Sequence, residues 1–488
     1  MSDRWALVLA LAVGGGALVA RPLPLALAGA GVALALLCRS PALACLAGAV
    51  LSSALAARAW AGLDPPTEPR WSGVAVLAGD PAPAFHGAAR AEVRLVARFG
   101  EQPADGLAEP RAGRWAEPRA EPRAERRVER RVERRVEASA RGLAADRLAP
   151  ALAGERIELS GRLRPVTGKA RAYLAHRHIA ARLDVDQVGR RGPAPPPIRL
   201  ANGLRRTIER GADGLPDQTR ALFGGFVLGD QRAESDQTKA EFRDSGLSHL
   251  LVVSGENVAF VLALVQPVLR RLRLGPRLLA ALAVLVLFGL LTRGEPSVLR
   301  AEAMAALAVV ATTLGRPAST QRVLCLAVTA LVLIDPLLVG SVGFLLSAGA
   351  TAGIAWLTPF FHRRLPLPVA VTLAAQVGVA PLLVGVFGGV PLASLPANLL
   401  AIPAAGPVMM WGLAAGLPAG LLGGAPAAVV HLPTRLLIGW VAFVAHRFAH
   451  APLGQVRAGH LAGGAAFVIT AAVGRRVGSA RAPRPRPP

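Results

Sequence analysis

Apolar runs dominate the chain at both ends, and a stretch of alternating character divides them. Trp5–Ala20, Pro22–Cys38 and Pro41–Trp60 are almost uncharged and are separated only by Arg21 and by Arg39-Ser40. The first two are short for a span of about 20 residues, so residues 1–62 predict two or three transmembrane helices. The first of them is read as a retained helix, because further apolar runs follow at once with no cleavage site between. Pro22 and Pro41 stand where a helix can begin, since the missing amide proton costs nothing there. From about Leu63 to Gly192 the period falls to two: Trp71–Val76, Ala91–Ala97, Arg156–Leu163 and His178–Val185 alternate apolar and polar residues between Gly and Pro turns. That is the pattern of short half-buried strands. Their number and spacing suit a small β-barrel of the oligonucleotide/oligosaccharide-binding type, an inserted soluble domain over 63–200.

Pro193–Pro197 forms a stiff linker. Within the helical segment 201–246, the stretch Arg199–Arg232 is amphipathic, with Leu204, Ile208, Leu215, Leu222, Phe223 and Phe226 on its apolar side. Such a segment lies at a membrane surface or packs on a bundle. The membrane domain, 247–474, then predicts spans near 247–269, 277–293, 297–314, 321–339, 341–360, 366–388, 394–415, 428–447 and 459–474. The expected fold is a polytopic α-helical membrane protein of about 11–12 spans carrying one small β domain. The tail 475–488, with arginines among prolines, is expected to be disordered and, by the positive-inside rule, cytoplasmic.

A low-complexity insert at 101–137 interrupts the β domain. Glu-Pro-Arg recurs at 109–111, 117–119 and 121–123, then Glu-Arg-Arg-Val three times over 125–136. The four-residue period places Glu and Arg within i,i+4 reach and predicts a short solvated helix after a Pro-rich coil. An arm touching nucleic-acid phosphates is the sharper alternative.

Composition agrees with the pattern. The 488 residues are 53% hydrophobic, which a soluble domain is not. The formal net charge of +24 rests on Arg far more than Lys. It points to an anionic partner, nucleic acid or lipid headgroups, or equally to GC-rich codon bias. The three cysteines, Cys38, Cys45 and Cys325, lie in apolar stretches without a CxxC spacing and are read as small buried hydrophobes. No HxHxDH or HExxH metal pattern, phosphate loop or GxSxG elbow occurs, and His176 and His178 have no partner cluster. The chain is therefore expected to be no enzyme, with no catalytic residue, metal or cofactor.

What remains is a set of polar residues inside apolar spans. A charge at the bilayer centre costs roughly 2.5–3.5 kcal/mol even on the lenient insertion scale, so such residues persist where they line a cavity or pair with one another. The run FRDSGLSHLLVVSGENVAF (242–260) is broken by Ser254, Gly255, Glu256 and Asn257. His249 and Glu256 would share a helix face if the helix continued. Arg300 and Glu302 fall in SVLRAEAMAAL and Ser347 in GFLLSAG. Gln376 and Asn398 each precede a Pro by five residues, as in broken helices whose freed backbone groups line a path. The plain alternative for Arg300 is a buried pair with Glu256 or Glu302 that holds helices in register. Asp335, before Pro336, is read as a helix-end residue.

The succession GDQ (229–231), FRDSGLSHLLVVSGENV (242–258), PSVLRAEAM (296–304), IDP (334–336), VGFLLSAGA (342–350) and AAQVGVAPLLVGVFGGVPLASLPANLLAIP (374–403) resembles the competence domain of the ComEC family of inner-membrane DNA-uptake channels. The resemblance is collinear over about 200–420. The β domain is similar in position and pattern to that family's N-terminal OB-like domain. The chain departs from the family's usual Ser-Gly-Leu-His at Glu256 and Asn257. It is also read as a form without the C-terminal metallo-β-lactamase-like domain of many members.

The resemblance implies a channel that translocates single-stranded DNA into the cytoplasm during natural transformation, multi-pass in the inner membrane. Its β domain would be extracytoplasmic and its C-terminus cytoplasmic. His249, Ser254, Gly255, Glu256, Asn257, Arg300, Glu302, Ser347, Gln376 and Asn398 are the pore candidates; Tyr173, Arg162 and Arg164 are the DNA-binding candidates of the β domain. Partners would be single-stranded DNA, membrane lipid, and a separate DNA receptor, nuclease and cytoplasmic ATPase, with a homo-oligomer left open. The rival readings are a transporter of another solute, a diverged non-transforming paralogue, and a membrane scaffold.

Overall fold

The computed structural model describes residues 2–64, 69–84, 87–98 and 134–457. Two compact units divide the chain: Ala61–Arg199, and Met1–Trp60 together with Leu200–Pro488. Helices α1 (Asp3–Val19), α2 (Leu25–Leu37) and α3 (Pro41–Ala61) come first.

The smaller unit contains β1 (Arg70–Leu77), β2 (Ala82–Ala84), β3 (Ala88–Arg98), β4 (Arg134–Ala140), α4 (Leu143–Leu148), β5 (Arg156–Pro165), α5 (Gly168–Ala175) and β6 (Ile179–Gly192). β1 pairs with both β5 and β3, so the order β1-β5-β6-β4-β3 closes on itself as a five-stranded barrel, and β2 extends β3 as a short hairpin. All pairs are antiparallel except β4–β6. The alternation in sequence becomes alternation in burial: Trp71, Ala75 and Leu77 on β1 and Ile157, Leu159 and Leu163 on β5 point inward with Val93, Val136, Leu148 and Leu183. Strand β4 corrects the expected insert helix at its end. Arg134–Val136, the close of the Glu-Arg-Arg-Val repeat, is strand and continues through Glu137 to Ala140, with Val136 fully buried. Pairing with β3 and β6 outweighs the i,i+4 charge pattern. The rest of the insert, 101–133, lies outside the described residues.

The larger unit continues with α6 (Pro196–Gly211), α7 (Asp217–Leu228), α8 (Asp236–Asp244), α9 (Gly255–Leu269), α10 (Leu274–Leu291), α11 (Pro296–Thr313), α12 (Thr320–Ile334), α13 (Val342–Phe361), α14 (Leu367–Phe387), α15 (Ser394–Leu422), α16 (Gly424–Val430) and α17 (Leu432–Ala449). The two-residue strands β7 (Val390–Pro391) and β8 (Gln455–Val456) pair near its end. Its main core joins Ile208, Leu222, Phe223 and Phe226 to Ala401, Val408 and Met409 of α15 and to Ile438, Val441 and Val444 of α17. Burial of Phe223 and Phe226 is complete to within 1%. At about 1.5–3 kcal/mol per such side chain, this packs the amphipathic segment onto the bundle.

Several helices differ from the expected spans. Among the described residues, α3, α10, α13, α14 and α15 are long and apolar enough to cross a membrane, and α16 with α17, bent by 54°, would make a sixth. The run at 247–269 forms a helix only from Gly255, and that at 321–339 stops at Ile334 before a 3-10 turn, Pro336–Gly340. Fifteen residues rise roughly 22 Å, short of a hydrocarbon core of about 30 Å. Asp335 ends α12 and caps the turn, its carboxylate accepting from the Leu337 amide at 3.1 Å. Conversely, α14 and α15 run unbroken through Pro381 and through Pro403, Pro407 and Pro418. A proline removes one amide donor, and packed neighbours in a bundle tolerate that. Cys38, at the end of α2, is exposed rather than buried. The span near 459–474 and the tail 475–488 lie outside the described residues.

Helices α13 and α14 touch backbone to backbone. A Cβ at Gly353 would run into the Ala374 carbonyl oxygen, and one at Gly378 into that of Gly349. Small residues that let helices approach this closely are the usual means of association where both solvent and side chains are apolar. Gly353→Ala should therefore destabilise the purified protein by about 1–3 kcal/mol in thermal unfolding. Gly343→Ala, on the same helix but with nothing within 4 Å, should be neutral or stabilising by up to about 1 kcal/mol.

Candidate functional site

Between Gly246 and Gly255 the chain leaves α-helical geometry inside the bundle, apart from one 3-10 turn, Ser248–Leu250. Each carbonyl freed there needs a donor. Gln231 Nε2 donates to the Leu251 carbonyl at 3.2 Å, and Ser297 Oγ to that of Val253 at 3.1 Å. Ser254 then starts α9 as its N-cap, its hydroxyl accepting from the Glu256 amide at 3.2 Å. Asn257 is fully buried and donates from Nδ2 to the Phe226 carbonyl at 3.1 Å, which fixes the first turn of α9 against α7. Glu256 is exposed, in the first turn, where a carboxylate complements the helix dipole.

Arg300 of α11 lies over this turn. A Cβ on Gly255 would stand 2.7 Å from its Nη2 and 2.9 Å from the Ala301 Cβ, so a larger residue there would displace the guanidinium. Arg300 is 5% exposed; Nε donates to Ser347 Oγ of α13 at 2.9 Å, and Nη1 reaches Met304 Sδ at 2.9 Å. No carboxylate forms an ion pair with it among the described residues, so neither expected partner, Glu256 nor Glu302, is engaged. Glu302 turns instead onto Gly289 of α10, its Oε1 buried without a hydrogen bond. Arg205, on α6, shows the contrasting arrangement. It is 2% exposed, donates to the Leu228 and Leu291 carbonyls at 2.9 Å each, and pairs with Asp230 at 3.2 Å. One buried arginine is paired with a carboxylate and joins helix ends; the other lies at a helix amino terminus with no carboxylate partner among the described residues.

The remaining candidates gather at the other end of the break. Gln376 Nε2 donates to Ser394 Oγ at 2.6 Å, and Asn398 Nδ2 to the Ser394 carbonyl at 2.7 Å. Gly246, at φ 76°, lies so close to Ser394 that a Cβ would collide with its side chain. His249 is exposed three residues on. Because the helix does not continue from Leu247, His249 and Glu256 do not share a helical face. In the barrel, Arg162 and Arg164 are exposed on β5, and Tyr173 is 67% exposed on α5. Arg164 meets Asp184 at 2.6 Å.

Residues 229–234 and Ser394 belong to this region, although sequence spacing gave them no role. Burial alone would raise the Asp230 carboxyl, but hydrogen bonds and charge from Arg232, with Arg205 beside it, hold it at about 2. Glu234 is 6% exposed, with both carboxylate oxygens buried and without hydrogen bonds, against Gly225. Burial pushes it up to about 7, against the pull of Lys239 and with a further push from Asp230. No sequence pattern marks Glu234, since its burial comes from α7 folding back over it.

The larger unit is thus a helical bundle with several helices long and apolar enough to cross a membrane, interrupted by a non-helical stretch beneath a buried arginine that has no carboxylate partner among the described residues. The family described as "Competence protein" matches residues 226–477, just over half of the chain, and the chain belongs to that family. It is similar to ComE operon protein 3 of Bacillus subtilis (strain 168), 26% identical over 194 residues, covering 39% of this chain and 25% of that protein. It is also similar to the uncharacterized protein YcaI of Escherichia coli (strain K12), 27% identical over 211 residues, covering 38% and 28%. The chain thus spans about a quarter of the length of the curated relatives it matches. No solved structure matches it.

The two acids next to the break act on stability in opposite senses. Asp230, depressed from 3.8 to about 2, contributes stability that is present above pH 3.8 and lost as pH falls toward 2. Glu234, raised from 4.5 to about 7, favours the fold below pH 4.5, and that contribution is lost as pH rises through 7. Glu234→Gln should therefore be more stable than the parent above pH 7 by about 3 kcal/mol, and equal to it near pH 4. Asp230→Asn should be less stable at pH 7 by about 2 kcal/mol. Denaturant unfolding at pH 4 and pH 8 measures both.

Proposed function

We propose that the chain is an inner-membrane channel that passes single-stranded DNA into the cytoplasm during natural transformation, with the barrel outside and the C-terminus inside. Membership of the competence family supports a role in DNA uptake. The observation that carries the reading is Arg300, buried over the amino terminus of α9 with no carboxylate partner among the described residues. An unpaired buried charge costs several kcal/mol, and a helix amino terminus beside it adds to the positive potential. Both terms fall when an anion arrives, and a phosphodiester of a passing strand is an anion of the right chemistry. The cation is fixed by Ser347 and Met304, so the site is ready before the strand reaches it.

The barrel supports an oligonucleotide-binding reading. Its ring order β1-β3-β4-β6-β5, with α4 between β4 and β5, is that of an OB barrel. Exposed arginines follow its pairing, Arg70 opposite Arg162 and Arg164 opposite Arg182. Tyr173 offers one stacking ring. A DNA receptor outside and a motor ATPase inside are the partners this arrangement calls for.

Uptake of labelled DNA by a transformable strain tests the channel. Arg300→Ala should lower uptake at least about tenfold, and Arg300→Lys should retain part of it, because charge survives while the Ser347 geometry does not. Normal uptake by well-inserted Arg300→Ala protein would remove Arg300 from the path. Normal uptake in a strain lacking the chain would remove DNA as the cargo and leave another anion as the substrate. For the barrel, binding of a single-stranded oligonucleotide should weaken with salt at a slope of roughly −0.7 per phosphate contacted. Tyr173→Ala should cost about 1–3 kcal/mol of binding. No binding at low salt would count against the barrel as receiver.

A further inference from the structure

Glu241 on α8, His446 on α17 and His450 at the C-terminal cap of α17 are not among the residues assigned above. One donor atom from each lies within 4.8 Å of the other two. We propose that these three side chains form a binding site for a divalent transition-metal ion of zinc type. His446 and His450 are four apart and so share one helix face, the spacing by which paired imidazoles hold zinc. His446 Nδ1 is 3.1 Å from Glu241 Oε1, and the two rings are 4.5 Å apart.

The surroundings orient the donors. His450 Nδ1 lies 2.8 Å from the His446 carbonyl oxygen. A carbonyl has no proton to give, so Nδ1 is the protonated nitrogen and the Nε2 of neutral His450 carries the free lone pair. Metal-bound histidines are commonly fixed in this way by a carbonyl behind the ring. Gln237 Nε2 donates to Glu241 Oε1 at 3.0 Å and steadies the carboxylate. Glu241 is 15% exposed at its side chain and His446 55%, so the donors are anchored on one side and open to solvent on the other.

Two imidazoles with one carboxylate suit zinc and its neighbours, whereas calcium and magnesium take oxygen ligands. Tetrahedral zinc at about 2.0–2.1 Å needs donors roughly 3.3 Å apart, which small rotations of the two exposed rings provide. Three protein ligands leave a fourth position for water. The bland alternative is a helix-end histidine pair with one ion pair to Glu241. The trio carries no sequence motif, because Glu241 is 205 residues from His446 and only the packing of α8 on α17 joins them. An ion there would clip α8, which leads directly into the break, to the helix behind it.

The test uses the full chain, tag-free, in detergent, loaded with zinc chloride and dialysed against metal-free buffer. Zinc per chain is measured by mass spectrometry and affinity by competition with a chromogenic chelator. About one zinc per chain should remain. His446→Ala/His450→Ala should abolish retention. Gln237→Ala, which leaves all three ligands in place, should weaken binding roughly 10–100-fold. His362→Ala, at an exposed histidine outside the trio, should change nothing. With Co2+ in place of zinc, visible absorption bands should appear and be displaced by zinc. Parent protein that retains no zinc, or a double variant that retains as much as the parent, would overturn the site.

Discussion

A chain that leaves helical geometry inside a helical bundle must hand every freed backbone group to a new partner, and this requirement organises the larger unit. The carbonyls of Leu251, Val253 and Phe226 are met by Gln231, Ser297 and Asn257, side chains from three different segments. Each of those segments is thereby fixed in position around the break. The GDQ stretch, the first turn of α11 and the first turn of α9 are less three separate motifs than three contributions to one hydrogen-bond account. An unsatisfied buried carbonyl costs about 1–3 kcal/mol, so loss of any of them would be felt at the same place.

With the backbone settled, the side-chain charge is what stands out. Arg205 and Arg300 are both buried in a bundle of low polarity, yet their surroundings differ in kind. Arg205 ends on two carbonyls and Asp230. Arg300 ends on a hydroxyl and a thioether, neither of which carries charge. The carboxylate nearest in sequence, Glu302, is turned onto another helix. Two residues apart on one helix, the two side chains point in different directions, so Arg300 could find a carboxylate only on another helix.

Much of this was legible in the sequence, for identifiable reasons. A strand shows its period directly, so β1, β3, β5 and β6 contain the alternating segments. β4 was hidden because its residues continue a four-residue repeat whose charge pattern favours helix, and only its two neighbours make it a strand. That the apolar run is interrupted was legible from Ser-Gly-Glu-Asn, but its place was not: Ser254 caps α9, Gly255, Glu256 and Asn257 form its first turn, and the non-helical stretch lies ahead of them. The extent of that stretch was not legible either, since Leu247–Val253 is apolar whether helical or not. Proline was misleading in the other direction: at 381, 403, 407 and 418 it stands in helices that continue, because packing outweighs one lost donor. Glu234 and the partner of Gln376 could not be read at all, for they depend on contacts between segments far apart in the chain.

The barrel's ring closure bears on the length of its insert. β3 and β4 are adjacent and antiparallel, with Leu95 opposite Arg134 and Ala89 opposite Ala140. The whole stretch between them is therefore a connection whose two ends are held side by side by the ladder. What the ring requires of the repeat is that its last copy supply Arg134, Arg135 and Val136 to the strand between β3 and β6; it sets no number for the copies before it. The place where the sequence repeats itself is thus also the place where the fold is least able to resist it.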